Sequence, residues 1–332
     1  MKVLKYIFAL MMVGAIMAAC DTDIENISIQ NPKTYSDLYY QNLRDYKASD
    51  HEISFMWFAQ WGATNSMAVR FTGLPDSLDI CSIWGGGIPP KENTQLWEDL
   101  RFAQKVKGTK MLYVAIVRLG AEDDSHDFKQ VLNEGLAMEE GEAREAKLNE
   151  AIDMYGDYYA DMVFENDLDG FDADYEPEGD FLQGKYFVRF IKHLALYMGP
   201  NPDQTKEERL AFIQQRYGTG TTDVNKMLCV DGRNHLELEP YEDYYFLQNY
   251  GGGTNVESGF PISKAVFCCN FGDDWNGTGQ AMYNQASYKP ATGRKGGFGA
   301  FYGQRDYFVH QYNSEPYKRF RECIQIQNPA VH

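Results

Sequence analysis

The stretch "NDLDGFDADYEPEGD", residues 166–180, alternates acidic and apolar side chains with a period of two. In a β-strand, residues two apart share a face. Asp172, Asp174 and Glu176 therefore point one way, and Phe171, Ala173 and Tyr175 the other. A solvated acidic loop is the plain alternative for such a run. What separates the two readings is the company the stretch keeps along the chain.

On either side of it, short apolar runs alternate with amphipathic ones. "HEISFMWFAQW" (51–61), "SLDICSIWGGG" (77–87) and "KMLYVAIVRLG" (110–120) read as strands before it. "KMLCVDG" (226–232), "YYFLQNYGGG" (244–253), "SKAVFCCNFGDDW" (263–275) and "GGFGAFYGQ" (296–304) read as strands after it. Helical spacing of apolar residues predicts helices over 93–108, 141–166, 184–199, 205–218 and 314–327. Residues 121–140 are polar and acidic and read as a long loop. Mostly apolar strands separated by helices indicate a parallel sheet covered on both faces. With the quoted stretch as the fourth, eight such strands suit a single-domain α/β fold, a (β/α)8 TIM barrel over residues 51–332.

Inside a closed barrel neither face of a strand meets open water. Three carboxyls in a row there cannot all ionise cheaply, so the set retains a proton at neutral pH. A retained proton at a barrel mouth is what a general acid needs. Glu176 falls at the C-terminal end of its strand, where barrel enzymes place their chemistry.

The chain has 332 residues and a net charge of -17, which argues against nucleic-acid binding, since phosphates need a basic footprint. Aromatics reach 14%, a supply that suits the stacking of sugar rings as well as a core. Residues 1–19 read as a signal peptide: Lys2 and Lys5, then a short apolar run over 6–16, then Met17-Ala18-Ala19 before Cys20. That layout resembles a bacterial lipobox, with Cys20 as the lipidated residue. The acidic residues behind it, Asp21, Asp23 and Glu25, resemble the surface-export signal of Bacteroidetes lipoproteins. The expectation is a lipid anchor in the outer membrane facing the exterior, with residues 20–50 as a tether and lead-in. No other segment is long and apolar enough to cross a membrane. The remaining cysteines, at 81, 229, 268, 269 and 323, show neither CxxC nor His-Cys spacing, and there is no HExxH, so no metal site is expected. The glycine clusters at 85–87 and 251–253 lack nucleotide-binding patterns.

Residues 169–176 match DGxDxDxE at every fixed position, a coincidence expected in roughly one chain in a thousand or fewer. The motif resembles the signature of the chitinase-like glycoside hydrolases of family 18, on their fourth barrel strand. The resemblance implies substrate-assisted hydrolysis with retention, without metal or organic cofactor. It implies Glu176 as acid and base, Asp174 as the group that orients the acetamido function, and Asp172 as its proton-sharing support. Asp169 and Gly170 read as structural. Gln248-Asn249-Tyr250, at the end of the sixth strand, is similar to the Gln-x-Tyr of the family's endo-β-N-acetylglucosaminidases. That implies Tyr250 as donor to the acetamido oxygen and Gln248 as a contact to the same sugar. The third strand lacks the SxGG usual in chitinases, and the eighth offers Tyr302 or Phe301 where they carry a tryptophan. Both departures favour the endoglycosidase branch.

Further candidates for holding the glycan are Trp61 and Trp84 as stacking platforms, and Asp231 and Asn270 at strand ends as hydroxyl contacts or helix caps. Three functions stay open on this reading. One is a surface endo-β-N-acetylglucosaminidase that cuts the GlcNAc-β1,4-GlcNAc core of N-glycans. The others are a glycan-binding protein on the same barrel, beside glycan-import proteins, and a chitinase.

Overall fold

The computed structural model describes residues 33–59, 61, 66–85 and 87–329. Cys20 and the segment before it lie outside the described residues. Eight parallel strands close into a barrel in sequence order. They are β1 (Ile53–Ala59), β2 (Ile80–Trp84), β3 (Lys110–Ile116), β4 (Gly170–Tyr175), β5 (Met227–Gly232), β6 (Tyr244–Leu247), β7 (Ala265–Asn270) and β8 (Gly297–Phe301). Each falls inside one of the runs read as a strand, and β8 pairs back onto β1 through Ile53↔Gly297 and Trp57↔Phe301.

The alternation in β4 separates two cores. Phe171, Ala173 and Tyr175 face the helix layer, where the Tyr159 ring stacks on Phe171 at 4.6 Å and Phe187 lies parallel to Tyr175 at 3.6 Å. Burying each such ring stabilises the fold by roughly 2 kcal/mol. A second core fills the barrel itself: Phe55, Trp57, Leu112, Val114, Phe246, Val266 and others. Phe55 and Phe246 stack across it at 3.7 Å. Gly299 makes room for this pair, since a Cβ there would come within 2.7 Å of the Phe55 ring.

The helices, in chain order, are α1 (Asp37–Ala48), α2 (Thr94–Arg101), α3 (Asp127–Ala137), α4 (Glu142–Glu165), α5 (Lys185–Leu194), α6 (Lys206–Tyr217), α7 (Phe271–Asp274), α8 (Gln280–Ser287) and α9 (Lys318–Gln327). α2 continues into a π-helical turn over Phe102–Val106. Two expectations need correction. Residues 37–48 are not a tether: α1 is capped by Ser36 and docks on the barrel wall. Tyr40 is buried against Phe102, Arg44 donates to the Val106 carbonyl at 2.8 Å, and Lys47 donates to Thr109 Oγ1 at 2.8 Å. Of the apolar and aromatic side chains on this helix Tyr40 is buried while Leu38 and Tyr39 stay exposed, so they mark no single inward face in the sequence. Residues 121–140 are likewise not one long loop, because α3 occupies 127–137 and buries Phe128 and Leu132. Its Gly135 lets α4 approach so closely that a Cβ would meet Leu148 at 2.9 Å. The cysteines at 81, 229, 268, 269 and 323 are free and buried. No helix among the described residues is long and apolar enough to cross a membrane.

Candidate active site

The fixed residues that open the motif shape the strand. A Cβ on Gly170 would lie 2.2 Å from the Met227 carbonyl, so glycine is what lets β5 pair there. The Asp169 carboxylate accepts from the Met111 backbone N–H at 2.9 Å and from Gln104 Nε2 at 2.8 Å. This pins the start of β4 to β3.

From that fixed start, the inward side chains of β4 climb the barrel axis. Asp172 is fully buried, and its Oδ2 accepts from Trp57 Nε1 at 3.1 Å and Ser82 Oγ at 2.7 Å. Burial, with help from the charge of Asp174, pushes its pKa up to about 7. Asp174 sits one layer higher and is 5% exposed. Burial pushes it up to about 6, and the negative charge of Glu176 adds to that. Glu176 follows directly after the strand, half-buried at the barrel mouth. Arg118, from the loop after β3, donates to Glu176 Oε2 at 3.0 Å and to its carbonyl oxygen at 2.9 Å.

β6 brings in the Gln-x-Tyr residues. Gln248 Nε2 donates to Asp174 Oδ1 at 3.2 Å and to Asp231 Oδ1 at 2.7 Å. Tyr250 is half-buried and stacks on Phe301 at 5.9 Å. Burial, then the charges of Asp231 and Asp174, push its hydroxyl well above the usual tyrosine range, so it remains a neutral donor. The rim is aromatic: Trp84 packs edge-on to Phe301 at 5.2 Å and tilted to Tyr302 at 5.7 Å. Tyr302 takes a left-handed backbone, φ 54°, as the chain turns out of β8. The arrangement offers one rim carboxyl able to move a proton, a buried carboxyl beneath it, and a phenol and aromatic rings around one opening.

Not every candidate belongs to that opening. Trp61 is 5% exposed and packs at 5.4 Å from both Phe71 and Trp97 in the outer core, so it is no stacking platform. Asp231 is fully buried beside Asp174 and is not a contact for a sugar hydroxyl. Asn270, by contrast, ends β7 level with Phe301 of the rim, with its side chain donating to Asp273 at 2.7 Å. Trp57, Ser82 and Arg118 complete the site and were missed. Trp57 and Ser82 share the inward face of their strands, a period-two signal that was present. Arg118 is placed by the loop after β3, which carries no such signal.

A family model described as Glycoside hydrolase family 18, BT1044-like, matches residues 19–301. The chain is 28% identical over 373 residues to endo-beta-N-acetylglucosaminidase F2 of Elizabethkingia meningoseptica, covering 99% of this chain and 100% of that protein. Among solved structures, a selenomethionine BT1044 with a glutamate-to-glutamine replacement aligns at TM-score 0.65 and 22% identity, over 91% of this chain and 97% of that one. An endo-beta-N-acetylglucosaminidase mutant from Cordyceps militaris, in complex with fucosyl-N-acetylglucosamine-Asn, aligns at TM-score 0.59 and 19% identity, over 90% and 98%. At these identities the two structures speak for the barrel fold.

Proposed function

The chain belongs to the BT1044-like glycoside hydrolases of family 18, and from that premise we propose that it cuts the GlcNAc-β1,4-GlcNAc core of N-glycans. The observation that carries this reading is the placing of Asp174 near the end of β4 and of Glu176 directly after the strand at the barrel mouth, with Gln248 bonded to Asp174. A relative matched along its whole length, named as an endo-beta-N-acetylglucosaminidase, supports the substrate class.

The steps follow from the positions. Glu176, on the rim, gives a proton to the glycosidic oxygen as the C1–O bond breaks. The acetyl oxygen of the same sugar forms the new bond to C1, giving an oxazolinium. Asp174 orients the acetamido N–H and faces the positive charge that develops, in a setting that water hardly reaches. Tyr250 donates to the acetamido group. Glu176 then takes a proton from water, which opens the ring at C1, and two inversions leave the configuration retained. The nucleophile belongs to the sugar, and the protein's side chains supply the acid and base, the orienting carboxylate and the phenol donor.

The reading extends to location: Cys20 carries a lipid, and the barrel works outside the cell beside glycan-import proteins. Replacing Cys20 by Ser is expected to release the protein from the membrane fraction.

The direct test is a mass-spectrometric digest of a high-mannose glycoprotein, with wild type and Glu176→Gln side by side. The expected result is one GlcNAc left on asparagine by the wild type and an intact glycan with the variant. If the wild type also leaves complex glycoproteins and chitooligosaccharides uncut, yet binds them, the barrel is a glycan-binding protein.

A further inference from the structure

Asp231 has no role in the scheme above, yet it is as fully buried in the barrel as Asp172. It is the register partner of Asp174 across β4 and β5, and it is fully buried. Asp172, Asp174 and Asp231 form a set with too few donors. Asp172 has Trp57 and Ser82, both on one oxygen. Asp174 and Asp231 share the single amide of Gln248. Asp172 Oδ1 and Asp231 Oδ2 are buried, and neither accepts from an N–H or hydroxyl among the described residues. No lysine or arginine is hydrogen-bonded to any of the three among the described residues. Three anions in such a place would be acceptors without donors, and an unpaired buried charge is strongly disfavoured. A proton on one of them turns an acceptor into the missing donor.

We propose that Asp231 is the member that holds this proton, and that it acts as a positioning residue, donating a hydrogen bond that keeps Asp174 ionised and aimed at the sugar. This rests on the hydrolase reading above, in which Asp174 must be negative when the oxazolinium forms. The resemblance implies a proton shared between Asp172 and Asp174; here the proton sits on β5 instead. The surroundings agree. Asp172 already has two donors suited to an anion. Asp174 sits nearest the mouth and feels Arg118. Asp231 faces Asp172 and Asp174 from β4, Gln248, Tyr245 and Tyr250 from β6 and its extension, and Cys268 from β7. All of these are neutral or negative. Burial and then the charges of Asp172 and Asp174 hold its proton far above the ordinary carboxyl range, while hydrogen bonding to Asp231 works to lower both of its neighbours.

The test compares the full-length wild type with Asp231→Asn and Asp231→Leu, using infrared spectra of the free protein and turnover on a high-mannose glycoprotein. Asn keeps a neutral donor in place and Leu removes it. At neutral pH the difference between the wild-type and Asp231→Asn spectra should show the loss of one buried protonated carboxyl band, which Asp172→Asn keeps, while the band of buried Glu242, pushed up to about 8, is common to all of them. Asp231→Asn should keep kcat within about tenfold, and Asp231→Leu should lose about 100-fold with KM little changed, as when a preorganised donor is removed. A difference spectrum in which Asp231→Asn loses no such band, or an Asn variant as slow as the Leu variant, overturns the proposal. If Asp231→Leu does not fold, the band and the Asn variant still decide. A wild type that shows the band and cuts no glycan defeats the hydrolase reading and leaves the proton assignment standing.

Discussion

Arg118 grips Glu176 at two points, its Nη2 on the carboxylate at 3.0 Å and its Nε on the backbone carbonyl at 2.9 Å. The grip is itself tied to the helix layer, because the Arg118 backbone N–H donates to the Tyr155 hydroxyl at 3.3 Å. A rim glutamate that is half-buried has several rotamers open to it, and the arginine selects one.

Replacing Arg118 by Met is therefore expected to lower kcat by about tenfold with KM nearly unchanged, since a lost aim costs rate rather than binding. Steady-state kinetics on a released-glycan assay checks this. An unchanged kcat would mean that the contact is idle.

The two tryptophans once read alike should behave in opposite ways. Trp61 is 5% exposed among Phe71 and Trp97, so Trp61→Ala should cost about 3–5 kcal/mol of stability. Trp84, half-buried on the rim beside Phe301 and Tyr302, should when changed to Ala raise KM several-fold with little change in melting temperature. Denaturant melts and kinetics on both variants separate the roles.

Stability should fall as pH rises through the neutral range. Burial pushes Asp172 up to about 7, Asp174 to about 6, Glu242 to about 8 and Asp243 to about 6. Each binds its proton more tightly folded than unfolded. The stability they contribute is full below their ordinary values near 4 and is lost as pH passes their folded ones. Carboxylates held low by a cation, such as Glu145 beside Lys185, act in the opposite sense only in more acidic solution. Calorimetry should show the melting temperature dropping between about pH 5 and about pH 7, less steeply in Asp172→Asn. A rise over that range contradicts the burial of these groups.

Helix α1 is part of the body and not a leash. Cutting the chain after residue 48 removes the buried Tyr40 and the contacts of Arg44 and Lys47. That loss should lower stability by about 2 kcal/mol or more, read from urea midpoints, an amount typical of one buried aromatic. An unchanged midpoint would restore the tether.

What was legible depended on period. Seven apolar runs and one alternating stretch announced eight strands, and the strict alternation over 170–176 told which carboxyls face inward, before any neighbour was known. Gln248 and Tyr250 lie past the end of β6, where the backbone turns, so the period-two rule does not reach them. What escaped depends on relations across the barrel. Asp231 looked like a strand-end contact because nothing in its own strand says that it stands level with Asp174. Trp57 was one aromatic among many until β1 and β4 were seen to face each other across the interior. Arg118 reaches Glu176 from a loop of irregular backbone, and such reach has no periodicity. Trp61 sits just past the end of β1, where a turn can aim a ring at the mouth or at the core with equal ease.

The most direct test of the account is the configuration of the sugar at the moment of release, followed by proton NMR on a defined N-glycan with wild type, Asp174→Asn and Glu176→Gln. Attack by the acetamido oxygen followed by water predicts the β-anomer as the first product of the wild type, with both variants losing about 100-fold or more in rate. An α-anomer formed first, or a Glu176→Gln protein that cuts at the wild-type rate, would contradict it.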